Sequence, residues 1–426
     1  MSASLHTLSN GVRVVCDPMP GLRTFALTVA VRGGAKWEPL DRSGWSHLLE
    51  HLVFKGAGEM GARDIVERIE ADGGSINAAT GYERTSFEVR ALDGSLPLAM
   101  QVLSDLVFRP TLDPAELERE KDVVAQEIAE AFDTPDDHVF EMAQGRAFHG
   151  QPLGRPILGS VDSLKAADPA SVRDWRARLD SPDRMVVAVA GAVDETELLA
   201  LAERWFGAEV ATPAQVPDRP RFIGGSASLS RKIEQANLVF QLPAPAVTDP
   251  TYAATRIMTE ILGGGMASRL FQSAREDRGL AYAIDAYHEA YEDGGLLGIY
   301  AGAAADRAVE LAEVCAAELM SLAKEGPTDA ELSRARAVLT AGLWMSDESP
   351  ASRAGRAATQ TLVFGAPIAS EDSASRLAAQ TVETVRAAAQ ACLTPGLAAT
   401  AVLGPKAAHA AGAAFTQALF GAGTAR

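Results

Sequence analysis

The feature that most restricts the fold of this chain is an order of elements that occurs twice, on either side of a proline-rich stretch, Thr212-Pro-Ala-Gln-Val-Pro-Asp-Arg-Pro220, whose composition is that of a linker. Before it, runs rich in β-branched or alternating apolar residues predict strands at 11–16, 24–31, 75–80, 83–91 and 185–190. Helical periodicity predicts helices at 45–54, 62–72, 96–108, 114–132, 136–148, 170–179 and 194–206. After it, strands at 229–233 and 237–242 lead to helices at 250–262 and 267–275 and to strands at 281–290 and 294–302. Further helices run to about residue 391, before a strand at 397–403. The repeat is one of pattern, not of residues. It predicts a duplicated α+β domain, divided as 1–212 and 222–426, and 426 residues suit two cores, because single cores stop growing at about 250 to 300 residues.

Composition narrows the function classes. With 47% hydrophobic and 22% charged residues the chain has ample material for a packed interior. Its 56 acidic against 39 basic residues give a net charge of −17, which argues against nucleic acid and mildly favours neutral or basic partners. Cys16, Cys315 and Cys392 form no CxxC pair and read as reduced core thiols. No basic-then-apolar leader opens the chain and no stretch of 18 apolar residues follows, so the expectation is a cytoplasmic protein without membrane partners.

Chemistry concentrates in the helix predicted at 45–54. His47 and His51 are four residues apart and share one face, where both imidazoles can reach one ion. Glu50 stands between them, placed to lean over the same site and take a proton from water. Zinc suits two neutral imidazoles and one carboxylate, with a fourth tetrahedral position for water, and the remaining ligand must come from elsewhere. On an exposed helix this set would be a polar patch. Here Trp45, Leu48, Leu49, Leu52, Val53 and Phe54 make the helix apolar on nearly every side, so it is predicted to be buried, and buried ionisable groups need compensation such as a divalent cation.

The run Gly44-Trp-Ser-His-Leu-Leu-Glu-His-Leu-Val-Phe-Lys-Gly56 resembles the signature of the inverted-motif (HxxEH) zinc peptidases, the family of pitrilysin, insulin-degrading enzyme and the mitochondrial processing peptidase. The resemblance covers nearly the whole chain and departs in details such as Leu48, where the family often has Phe. It implies two homologous domains, each a mainly antiparallel sheet flanked by helices, together forming half of a clamshell. It places a third ligand on the helix at 114–132, where the register of Glu120-Lys-Asp-Val-Val-Ala-Gln-Glu127 selects Glu127. Glu120, on the same helical face, then orients a ligand through a hydrogen bond. The segment from Gly74 to Phe87 resembles the strand whose free edge pairs with the substrate backbone, at Asn77 and Ala78. The segment from Ser268 to Tyr282 resembles the stretch that supplies an Arg and a Tyr, here Arg275 and Tyr282, to bind substrate and stabilise an oxyanion.

The implied activity is that of a zinc metalloendopeptidase, with one zinc per chain, acting on peptides or unfolded polypeptide segments. In larger members the Arg and Tyr lie in the half opposite the metal. The expectation is therefore a homodimer enclosing a chamber, in which Arg275 and Tyr282 serve the partner's metal site. One rival is a non-catalytic scaffold of the same fold, whose sign would be a broken metal motif. The other is an active subunit of a heterodimer with a metal-free homologue. Glycines 263–265 lack the Lys of a phosphate loop, and His6, His138, His149, His288 and His409 fall in no ligand pattern.

Overall fold

In the computed structural model, which describes residues 3–213 and 215–421, the strands of the first half close into one sheet. They are β1 (Ser4–Thr7), β2 (Arg13–Pro18), β3 (Thr24–Arg32), β6 (Ser75–Thr80), β7 (Arg84–Leu92) and β8 (Met185–Gly191), while β4 (Gly56–Ala57) and β5 (Met60–Gly61) form a separate short hairpin. The second half supplies β9 (Gly225–Ser230), β10 (Gln235–Pro243), β11 (Ala281–Ala290), β12 (Gly295–Ala304) and β13 (Ala399–Gly404). Read from one edge, the first sheet runs β6-β7-β3-β8-β2-β1 and the second β11-β12-β10-β13-β9. These are the same path through equivalent strands, antiparallel except at β2–β8 and at its counterpart β9–β13. The duplication expected from pattern is thus one of topology.

Helices follow the same parallelism. The first half carries α1 (Trp45–Val53), α2 (Ala62–Ala71), α3 (Leu96–Phe108), α4 (Pro114–Asp133), α5 (Pro135–Ala147), α6 (Val161–Lys165), α7 (Pro169–Leu179) and α8 (Glu195–Phe206). The second carries α9 (Tyr252–Gly263), α10 (Ala308–Glu325), α11 (Asp329–Asp347), α12 (Pro350–Phe364), α13 (Ser370–Ala378), α14 (Val382–Cys392) and α15 (Ala411–Phe420). Three elements differ from expectation. The helix expected at 267–275 is mostly a π-helical turn, Phe271–Glu276. The strand expected at 229–233 lies earlier as β9, because residues 231–234 are the turn into β10. The sequence also gave no expectation of α15, whose buried Phe415 stacks on Phe240 at 4.2 Å between ring centroids.

The compact units do not follow the linear division at 212 and 222. Unit 1 comprises Met1–Ile128, Pro156–Pro217 and Trp344–Ser370, and unit 2 comprises Ala129–Arg155, Asp218–Leu343 and Glu371–Arg426. Each unit therefore takes a helix from the other half of the sequence. In unit 1, α12 lies on the face of β3 and β8, where Ala354, Ala357 and Ala358 meet Ala26, Ala30, Ala188 and Ala190, and small side chains on both sides let helix and sheet approach closely. Arg353 of α12 forks onto Asp17 at 2.6 and 2.7 Å, and Arg13 donates to Thr361 O. In unit 2, α5 covers β10 and β13 in the same way, through Val139 and Ala143 against Val239, Ala401 and Leu403. On the opposite face of each sheet lies the larger core, with α1, α3 and α8 in unit 1 and α9, α10 and α14 in unit 2. The three cysteines are buried and free, and burial pushes each thiol up to about 12.

Candidate metal centre

The helix α1 begins without a cap of its own. Gly44 precedes it with φ 89°, where a Cβ would stand 2.4 Å from the Leu158 carbonyl oxygen, so only glycine fits this turn. The free N–H groups of the first turn are met by Glu38, only 3% exposed, whose two carboxylate oxygens accept from Gly44 N and Ser46 N at 2.7 Å each. Trp45, Leu48, Leu49, Leu52 and Val53 enter the core, and Trp45 Nε1 donates to Ser163 O at 3.0 Å. His47, Glu50 and His51 fill the half-buried stripe that remains.

Across from this stripe, α4 presents Glu120 and Glu127, seven residues apart and nearly in line on one face. Ligand atoms of His47, His51 and Glu127 all lie within 4.8 Å of one another, and among the described residues this is the one group of three or more such side chains close enough to share an ion. Glu127 Oε2 stands 3.6 Å from His51 Nε2 and 3.9 Å from His47 Nε2. Both separations are too long for hydrogen bonds, and both are near the roughly 3.3 Å edge of a tetrahedron whose ligands lie about 2.0–2.1 Å from zinc. Glu127 Oε2, His47 Nδ1 and Glu50 Oε2 are buried without a hydrogen-bond partner. Buried polar atoms are rarely left so; the two imidazoles and carboxylate fit a divalent zinc ion by donor type and spacing, and Glu127 Oε2 also by its unmet demand.

The surroundings hold the ligands in the form a metal needs. His51 Nδ1 lies 3.0 Å from Glu120 Oε2, so a proton on Nδ1 is donated there and Nε2 is left facing Glu127. Glu120 is 4% exposed, and its other oxygen accepts from Lys55 Nζ at 2.8 Å. Burial, and then the neighbouring His51, push His47 down to about 4 against an opposing pull from Glu127. Its imidazole is therefore neutral near pH 7, as ligation requires.

The other expected residues fall as follows. Asn77 is exposed and Ala78 half-buried on β6, an edge strand that packs beside α1. Arg275 and Tyr282 belong to unit 2, whereas the histidine cluster belongs to unit 1. Arg275 is exposed on the π-helical turn, its guanidinium 4.7 Å from the Phe271 ring centroid. Tyr282 is 60% exposed at a bulge in β11, where pairing with β12 slips between Ala281 and Ala283. Sequence reasoning missed Glu38 and Lys55. The signal for Glu38 was a helix opening at Gly44 with no Ser, Thr, Asp or Asn to cap it, which demands an acceptor from elsewhere.

Two sheets of one topology, with a His-x-x-Glu-His helix facing a glutamate from α4, have the fold and residue pattern of the inverted-motif class. Comparison with known proteins gives the family. The model described as Insulinase (Peptidase family M16) matches residues 13–161, and that described as Peptidase M16 inactive domain matches residues 166–339. An uncharacterized zinc protease of Bacillus subtilis is 34% identical over 390 residues, covering 91% of this chain and 95% of that protein. Another from Streptomyces coelicolor is 33% identical over 410 residues, with 94% and 89% coverage. The chain belongs to peptidase family M16, the pitrilysin family. Its fold matches the crystal structure of a protease from Helicobacter pylori with TM-score 0.88 at 21% identity, over 95% of this chain and 99% of that one. Among the described residues no helix is long and apolar enough to cross a membrane.

Proposed function

We propose that the chain is a zinc-dependent endopeptidase that hydrolyses peptides or unfolded polypeptide segments. The observation that carries this is the convergence of His47, His51 and Glu127 to within 4.8 Å, with an unpartnered buried oxygen of Glu50 in the same helix face. His47, His51 and Glu127 hold the ion, and Glu120 keeps the His51 ring in register from behind. When bound, zinc supplies a Lewis acid that lowers the pKa of water and polarises a carbonyl. Glu50 takes the proton of the attacking water and passes it to the leaving amine. The free edge of β6 pairs with the substrate backbone at Asn77 and Ala78, which gives affinity with little sequence preference.

Metal analysis with a quenched-peptide panel on the native chain and on Glu50→Gln tests this. Zinc retained with hydrolysis reduced by about a hundredfold or more supports Glu50 as the base. Undiminished hydrolysis in that variant refutes the mechanism.

The working unit in this reading is a homodimer enclosing a chamber, with Arg275 and Tyr282 completing the partner's metal site. A mixing experiment decides it. In a hybrid of a Glu50→Gln subunit with a Tyr282→Phe subunit, one of the two composite sites has every residue intact. If subunits exchange, an equal mixture of the two weakened variants recovers about a quarter of native activity. Activity equal to the mean of the separate variants, with a monomer in sedimentation at assay concentration, excludes the shared site. A requirement for a different homologue would appear as a chain that binds zinc yet is inactive alone.

A further inference from the structure

Beside the start of β6 lies an open cleft of about 330 Å3 that the metal chemistry does not use. It is built entirely within unit 1. Its walls are the bare backbone of Gly73 and Gly74 leading into Ser75, the ends of β3 and β7, and the first residues of α12. Arg90 is the one charged residue lining it. Arg90 sits in register between Ser75 of β6 and Ala26 of β3, on the sheet face that also carries Asn77 and Glu88. It is exposed, and its guanidinium has no hydrogen-bond or ion-pair partner among the described residues. An unpaired cation in a cleft is the more notable in a chain of net charge −17.

Position relates this cleft to the substrate strand, and this step rests on the proposed role of β6. A peptide added antiparallel to the free edge of β6 runs its C-terminal end toward Ser75. From Ala78 to Ser75 is three residues, about 10 Å of extended chain. A peptide engaged at Ala78 therefore delivers its C-terminal residues to Arg90, whose planar fork matches a carboxylate. Leu92, 48% exposed on the same wall, offers apolar surface to the residue that bears it. We propose that the cleft is a carboxylate-binding subsite, in which Arg90 pairs with an acidic group at the C-terminal end of the bound peptide. That group is either the chain terminus or an Asp or Glu side chain near it. Arg90 is then a specificity-determining residue that favours peptides bearing a carboxylate at that end.

The test separates this from the peptidase reading by measuring binding without turnover. N-terminally labelled decapeptides of matched sequence are prepared as free acid, as amide, and as amide with Glu in the last position. They are titrated by fluorescence anisotropy against zinc-loaded full-length chain carrying Glu50→Gln. The free acid is expected to bind roughly three- to tenfold more tightly than the amide, the size of one partly solvated ion pair, and high salt shrinks the preference. Adding Arg90→Gln brings the ratio to about one, and Arg90→Lys keeps part of it. Tight binding of the Glu-bearing amide also supports the subsite and identifies a side chain as the source. Equal binding of all three peptides, or a preference that survives Arg90→Gln, overturns the proposal. Hydrolysis of the amide peptide by the native chain is scored separately, so failure there counts against the peptidase reading and leaves the binding comparison intact.

Discussion

Glu38 touches neither substrate nor metal, yet the geometry of the metal helix depends on it. Both its oxygens are committed to α1, at 2.7 Å from Gly44 N and from Ser46 N, and water hardly reaches them. Hydrogen bonds to a charged group contribute about 1.5–3 kcal/mol each. Glu38→Gln is nearly isosteric but keeps one acceptor, turns the other into an N–H2 group facing an N–H donor, and removes the charge that complements the helix dipole. The first turn should loosen by about 2 kcal/mol, the value of one such bond. Hydrogen exchange resolved at Gly44 and Ser46 reads this locally, and about 2 kcal/mol corresponds to roughly thirtyfold faster exchange. Chelator competition should show zinc affinity falling by about tenfold or more, as for other groups that support ligands from outside. Fast exchange with unchanged zinc affinity would mean that the cap is structural alone. Unchanged exchange at both amides would refute the reasoning.

Two further predictions concern stability. In the zinc-free chain His47 lies at about 4, below its ordinary 6.5, so on acidification the unfolded chain takes up the proton first. Its contribution is fully present above about pH 6.5 and is lost as pH falls toward 4, by about 3 kcal/mol in total. Urea midpoints followed over that range should decline less steeply in His47→Gln. Arg353→Ala strands the buried carboxylate of Asp17 on β2 and should cost about 3 kcal/mol. Arg353→Met with Asp17→Asn should recover part of that loss in the same assay, because no unpaired charge is left behind.

Local pattern was enough wherever a signal was strong and short-ranged. The alternation of β6 and the apolar period of α3 gave both elements to the residue. The His47, Glu50 and His51 stripe was legible because a helix face is fixed by spacing alone, whereas Glu127 also needed the resemblance to choose among the acidic residues of α4. β9 was expected too late, at 229–233, because Leu229 alone in its Gly-Ser-Ala-Ser-Leu-Ser carries a strong apolar signal at the sheet edge. The exchange of α5 and α12 escaped for a deeper reason. The row Ala354, Ala357, Ala358 and Leu362 states that α12 covers an apolar surface, but nothing in it says which of two equivalent sheets.

That exchange also shows how the duplicate lost its ligands. Trp344 follows Ala129 by 215 residues and Ser370 follows Arg155 by the same 215, so the two exchanged segments are equal in length and equivalent in position. The offset carries the start of α4, Pro114, onto the start of α11, Asp329, and the start of α5, Pro135, onto the start of α12, Pro350. Applied to the site, it sets Gly342 opposite Glu127 and Ala335 opposite Glu120. The pair α11 and α12 therefore keeps the starts of α4 and α5 to the residue, with hydrogen and methyl where the two carboxylates stand. Neither position offers a ligand atom, and Ala335 is buried in the core. What unit 2 does retain at the edge strand equivalent to β6 is Tyr282, pushed out of register by a bulge. A bulge re-aims one side chain without disturbing the sheet behind it. The duplicate thus presents a phenol at its edge and no carboxylate at these two helix positions, and the mixing experiment tests the proposal that this phenol serves a partner's metal site.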